Sequence, residues 1–175
     1  MKIALIVGLS LVGALALVVA VIALVGSRLP SKHSVTRSVL LHRSHTTVYA
    51  TARDFAAMPK WRADVRQVEV TQAADGRVHF REQEKHSAVN YELAEDVPNS
   101  RMVTRILDTD LGYSGQWTYT FTPEGANTRV SITEDGEVSN VIFRFLSRYA
   151  FGHTSSIDAY LTSLGKQFGE TVAPE

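Results

Sequence analysis

Residues 115–122 read Gly-Gln-Trp-Thr-Tyr-Thr-Phe-Thr. Trp117, Tyr119 and Phe121 alternate with Gln116, Thr118 and Thr120, so one face is aromatic and the other polar. A period of two is the mark of a half-buried β-strand. The same period runs outward from it on both sides. Pro123-Glu124-Gly125 is a turn, after which Val130 and Ile132 alternate with Arg129, Ser131 and Thr133. On the other side Met102, Thr104 and Ile106 precede a turn carrying Gly112 and Gly115. Before them come Val89, Tyr91 and Leu93, ended by Pro98-Asn99-Ser100. Val78, Phe80 and Glu82 form a hairpin with Val65, Val68 and Val70 across Ala74-Asp75-Gly76. Turn chemistry recurring every roughly 10 to 15 residues makes this an antiparallel meander of about six strands.

The flanks of the meander have a different period. Val35, Arg37, Val39 and Leu41 alternate with Thr36, Ser38, Leu40 and His42, which adds one earlier strand. Ser44 or His45 can then cap a helix carrying Val48, Tyr49, Ala52 and Phe55, and Pro59 stops it just before Trp61. From Asn140 to Phe168 the spacing is helical, with Ile142, Phe145, Leu146, Tyr149, His153, Ile157, Tyr160, Leu161, Leu164 and Phe168 on one broad stripe. One long striped helix must cover one sheet face. The expected fold is therefore α+β: a curved antiparallel sheet of about seven strands around a long C-terminal helix, with a ligand space between them.

The first 26 residues are unlike the rest. No charge occurs between Ile3 and Gly26. A 24-residue helix of ~1.5 Å per residue is about 36 Å long, enough for a hydrocarbon core of ~30 Å. A signal peptide is the alternative, with Lys2 as its positive start and Ala20 or Ala23 near a cleavage site, but its apolar run is normally shorter. A buried core helix would show a polar face, and none is present. Residues 1–27 are thus expected as a single transmembrane anchor, 28–34 as a linker containing Pro30, 35–170 as the folded domain and 171–175 as a tail. Lys2 precedes the span, while Arg28, Lys32 and Arg37 follow it beside His33. The positive-inside rule then puts the domain on the cytoplasmic side. Gly13, Ala16, Ala20 and Ala23 share one helix face loosely and offer a surface for a homodimer through the span.

The chain has 175 residues, with Lys+Arg 18 against Asp+Glu 18 and no cysteine. Balanced, interspersed charge argues against nucleic acid as a partner. Without cysteine there are no disulfides, thiolate metal sites or Cys nucleophiles. His42 and His45 are spaced i, i+3 but span a strand-to-helix change, so no metal site is expected. Gly112-Tyr113-Ser114-Gly115 is not a nucleophile elbow. No phosphate loop or dinucleotide fingerprint occurs, and no cofactor is expected.

The ordered set Val48-Tyr49, Asp54-Phe55, Pro59 and Trp61, then Gly115-Gln116-Trp117-Thr118-Tyr119 and Asn127-Thr128-Arg129-Val130, resembles the SRPBCC superfamily over about residues 35–170. This helix-grip group includes START lipid-transfer domains, polyketide cyclases/dehydratases, plant ligand-binding allergens and ubiquinone-binding chaperones. The resemblance implies a deep cavity for an apolar small molecule without implying a reaction. The apolar first segment departs from the soluble members and shifts the expectation toward a membrane-associated ligand.

Candidate ligand-binding residues are Trp61, Phe80, Tyr91, Trp117, Tyr119, Phe121, Tyr149 and His153. Trp61 falls where the resemblance places the cavity lip, or else it packs the open end of the sheet. Trp117, Tyr119 and Phe121 either line the space or fill it. In the inward register Glu82 follows Phe80 and Glu134 follows Ile132, and two carboxylates in an apolar cavity would bind a polar head group or exchange protons. The alternative is that both are solvated at the rim. His153, after Gly152, suits proton transfer or a hydrogen bond to a ligand oxygen. The acidic runs Glu92, Glu95, Asp96 and Glu134, Asp135, Glu137 read as solvated edges.

Three functions remain open. The first is membrane-tethered binding or transfer of a lipid, isoprenoid or quinone. The second is a cyclase/dehydratase-like enzyme using His153, Glu134, Glu82 or Tyr91 as acid and base. The third is a non-catalytic interaction domain offering its sheet edge.

Overall fold

The computed structural model describes residues 2–175, with residues 2–6 and 151 described as backbone only. Met1, where the expected anchor begins, lies outside the described residues. Helix α1 (Lys2–Arg28) leads through three residues into strand β1 (Lys32–Leu41). The Ser44 hydroxyl caps α2 (His45–Arg53) by accepting the Thr47 N–H at 3.4 Å. Asp54 plays the same part for the 3-10 stretch Phe55–Lys60, accepting the Ala57 N–H at 3.2 Å.

Six strands follow: β2 (Gln67–Gln72), β3 (Val78–Gln83), β4 (Ala88–Val97), β5 (Arg101–Ile106), β6 (Tyr113–Glu124) and β7 (Asn127–Val138). With β1 they form one seven-stranded antiparallel sheet in the order β1-β7-β6-β5-β4-β3-β2. The meander runs hairpin to hairpin, and β1 pairs with β7 so that Val39 lies opposite Val130 and Val35 opposite Glu134. The curved sheet wraps a core containing Leu41, Val48, Phe55, Met58, Met102, Val130, Ile132, Ile157, Tyr160 and Leu164.

The expected C-terminal helix is present, but it does not run unbroken over the helical spacing from Asn140 to Phe168. The chain makes α3 (Val141–Leu146), a π turn (Ser147–Phe151), and then that helix, α4 (Ser155–Gln167). Gly152 sits between them at φ +76, a left-handed conformation open to glycine at little cost, and it redirects the chain. Helix α4 packs on the sheet beside α2, burying Ile157, Tyr160, Leu161 and Leu164.

The bounds of the domain also differ from expectation. β1 begins at Lys32, inside the expected linker. At the other end, Ser38 N–H donates to Glu175 O at 2.8 Å and Glu175 N–H returns the bond to Ser38 O at 3.0 Å. The last residues thus pair along the outer side of β1, covering a sheet edge that would otherwise be open.

Helix α1 is long and apolar enough from Val7–Arg28 to cross a membrane by length and composition. Residues 7–21 are exposed, Ile22, Ala23 and Val25 are half-buried, and Gly26 is buried. The helix α1 meets is α3. A methyl at Gly26 would stand 2.0 Å from the Val141 carbonyl oxygen, so only glycine allows the two backbones to touch.

Candidate functional site

A cavity of about 650 Å³ lies between the concave face of the sheet and α4. Alternation along the strands builds its wall: Phe80 and Glu82 from β3, Tyr91 from β4, Thr104 from β5, Trp117 and Tyr119 from β6, and Glu134 from β7 all project inward. Ser155, Ser156 and Ala159 of α4 form the opposite side. The mouth lies where lining residues are exposed, at Tyr113 and Ser114, at Glu84 and Ser87, and at Phe143 and Gly152.

The deep part holds a buried ion pair. Arg62 Nη1 donates to Glu82 Oε1 at 3.1 Å and Oε2 at 3.0 Å, while Arg62 Nη2 donates to Asp64 at 2.6 Å. The guanidinium also lies 5.4 Å from the Tyr160 ring centre. Burial pushes the Glu82 carboxyl above its ordinary range, and the Arg62 charge pulls it back only in part. Burial, then the nearby Glu82 charge, raises the phenols of Tyr91 and Tyr119, so both remain hydrogen-bond donors at neutral pH.

A second polar group stands nearer the rim. His33 Nε2 hydrogen-bonds Glu134 Oε1 at 2.9 Å, and Trp117 Nε1 donates to Glu134 Oε2 at 2.7 Å. The His33 and His153 rings are 4.4 Å apart. A methyl at Gly136 would come within 2.4 Å of the His33 ring, so the imidazole lies directly on that glycine. Burial and then the neighbouring His33 hold the His153 imidazole below its ordinary value.

Of the residues expected from sequence, Phe80, Tyr91, Trp117, Tyr119, His153, Glu82 and Glu134 line this cavity. Three others do not. Trp61 packs edge-on against Tyr160 at 5.3 Å instead of forming the lip, and Phe121 turns toward α2 to meet Tyr49 edge-on at 5.5 Å. Tyr149 is 62% exposed, because the break at Gly152 removes its segment from the face of α4. Glu82 and Glu134, strands apart in the sheet, belong to two separate groups: Glu82 is buried against Arg62, and Glu134, nearer the rim, is half-buried and held by His33 and Trp117. Glu92 and Asp96 are likewise paired: Glu92 with Arg77 and Arg105, Asp96 with Arg53 and the Tyr49 hydroxyl. Sequence reasoning missed Arg62, Asp64, Thr104 and His33 as lining residues. Among the described residues no group of three or more His, Asp or Glu is placed to hold a metal ion.

A curved seven-stranded sheet gripping a helix over an internal cavity defines a START-like, helix-grip domain for hydrophobic ligands. The chain belongs to the polyketide cyclase/dehydrase and lipid transport family, whose sequence profile matches residues 32–167. No curated protein sequence matches it. Solved structures show the same fold at low identity. A START superfamily protein from Mycobacterium smegmatis is 16% identical with a TM-score of 0.57, over 77% of this chain and 99% of that one. An aromatase/cyclase from a Streptomyces species is 13% identical with a TM-score of 0.60, over 76% and 91%. Norcoclaurine synthase from Thalictrum flavum is 10% identical with a TM-score of 0.62, over 79% and 87%.

Proposed function

We propose that this protein is a membrane-tethered receptacle that binds and locally hands over an apolar small molecule bearing a hydrogen-bonding oxygen, of the lipid, isoprenoid or quinone kind. The observation that carries this reading is the cavity of about 650 Å³, which its aromatic lining leaves open. That volume lies within the ~300–1,000 Å³ of small-molecule sites. Tyr91 and Tyr119 supply donors to a ligand oxygen in a largely apolar wall. The span α1 accounts for the tether, and Arg28, Lys32 and Arg37 after it favour a cytoplasmic domain. Native mass spectrometry with solvent extraction, on the full chain in detergent, tests the reading. A co-purifying apolar molecule of defined mass is expected; a clean apo mass after incubation with lipids and quinones would overturn it.

A second reading rests on the pair of His33 and Glu134. An imidazole oriented by a carboxylate and facing a cavity is the geometry of a general base. In a cyclase/dehydratase-like reaction His33 would take the proton and Tyr91 or His153 would donate to the ligand oxygen. Against it, the other cavity carboxylate, Glu82, is held by Arg62 and is not free to serve as a second acid or base. Unchanged turnover of an identified substrate by His33→Gln and His153→Gln variants would remove this reading.

A further inference from the structure

We infer that residues 139–152 form a docking face for the surface of the bilayer that α1 crosses, so that the cavity mouth opens toward lipid instead of water. The inference rests on α1 being a membrane span, as proposed above. Its basis is the contact between α1 and α3. Gly26 touches Val141 backbone to backbone, and the cover that buries Gly26 and half-buries Val25, Ala23 and Ile22 begins only in the last turns of α1. Ile22 lies six residues, or about 9 Å, below Arg28 along the helix. A segment packed beside residues 22–26 of a spanning helix therefore sits at the depth where interfacial helices lie, ~5–10 Å into the boundary between headgroups and acyl chains.

The chemistry of the segment fits that place. Beside the polar Ser139, Asn140 and Arg148 it turns large hydrophobic side chains outward: Ile142 is 38% exposed, Phe143 43% and Tyr149 62%. Between Glu137 and Asp158 there is no acidic residue, while Arg144 and Arg148 are present, as attraction to anionic headgroups requires. Arg144 fixes the pose, donating from Nε to Val138 O at 2.7 Å, from Nη2 to Ser139 O at 3.0 Å and from Nη1 to Leu29 O at 3.4 Å. Phe143, Leu146, Ser147, Gly152 and His153, within or beside the same stretch, also line the cavity. The segment therefore borders lipid and cavity at once, with Phe143 at the mouth between them, and a ligand can pass there without crossing water.

The sequence contains no cysteine, so single-cysteine variants of the full chain carry one nitroxide label each. Ile142→Cys and Tyr149→Cys would report the docking face, Val12→Cys the span, and Ala126→Cys the hairpin at the far end of β6. In vesicles of phosphatidylcholine and phosphatidylglycerol, power saturation against oxygen and a water-soluble nickel chelate is the measurement. Labels at 142 and 149 are expected to show severalfold less nickel access and more oxygen access than the label at 126. Nickel access at 142 and 149 equal to that at 126, with the label at 12 in hydrocarbon, would overturn the docking face alone. Nickel access at 12 would overturn the spanning reading, and the docking face with it.

Discussion

Arg62 binds both carboxylate oxygens of Glu82 through one nitrogen, at 3.1 and 3.0 Å, with each residue 8% exposed. Two charges removed from water in this way are held by each other and by Asp64. The pair anchors the loop between the 3-10 stretch and β2 to β3, and so shapes the deep end of the cavity.

Breaking the pair on one side strands a charge. Glu82→Ala is expected to cost about 3 kcal/mol, at the lower end of the range for a broken buried pair, because Asp64 still faces Arg62. Replacing both partners, Arg62→Met with Glu82→Leu, should come within about 1 kcal/mol of the parent. Denaturant unfolding of the detergent-solubilised chain, followed by tryptophan fluorescence, measures both. A single variant as stable as the parent would show that the pair contributes nothing.

The rim group predicts opposite shifts from two neighbours. His33 lowers and Glu134 raises the His153 imidazole, whose net position is below the ordinary value, with burial the largest cause. His33→Gln should therefore move the His153 titration up, and Glu134→Gln should move it further down. NMR titration of the ring protons reads both, and shifts of the same sign would mean that the ring contact is not maintained.

Acid should destabilise the fold in a defined window. Asp64 and Glu170 lie below the ordinary carboxylate range: burial pushes each up, but Arg62 outweighs it for Asp64, and the His42 backbone and ring, with Arg43, outweigh it for Glu170. As pH falls the unfolded chain takes up these protons first. Their stabilisation is then complete above the ordinary values of about 3.9 and 4.3 and is lost as pH drops through the depressed ones. Unfolding midpoints of the parent and of Asp64→Asn with Glu170→Gln should converge with acidification; parallel curves would contradict this.

Filling the cavity should abolish binding while sparing the fold. Ala159 lines the space from α4 and is exposed, so Ala159→Trp adds an indole at the cavity wall without displacing core. The variant is expected to keep its unfolding midpoint within a few degrees and lose the co-purifying molecule. Retention of that molecule at parental stoichiometry would place the ligand elsewhere.

The sheet was legible because strand alternation is local. Trp117, Tyr119 and Phe121 do share an inward face, and Glu82 and Glu134 fall inward where their registers put them. A shared face is nonetheless not a shared site. Phe121 lies further along β6, under α2, where Tyr49 closes over it. The irregularity at Leu93/Glu95 in β4 reverses the parity of the residues beyond it. Asp96 therefore points to Tyr49, whose phenol is pushed up to about 12 by burial and that carboxylate. Periodicity could not reveal the break at Gly152, since a helical stripe continues through it in sequence. Arg62 had a signal that went unused: an inward Glu82 needs a cation, but the cation lies 20 residues earlier in the sequence, in an irregular loop. His33 simply continued the alternation of Val35, Arg37 and Val39 into a stretch that Pro30 made look like a linker.

Three residues separate α1 from β1, and Val138 N–H holds the last of them, Ser31, through its carbonyl. Fully extended, three residues reach only about 10 Å. With α1 in a bilayer, the domain would have no slack to travel and could not swing across to a second membrane. On the function proposed above, exchange would be confined to acceptors that diffuse in the same lipid plane or that come to this fixed address, a docking post for the ligand and not a ferry.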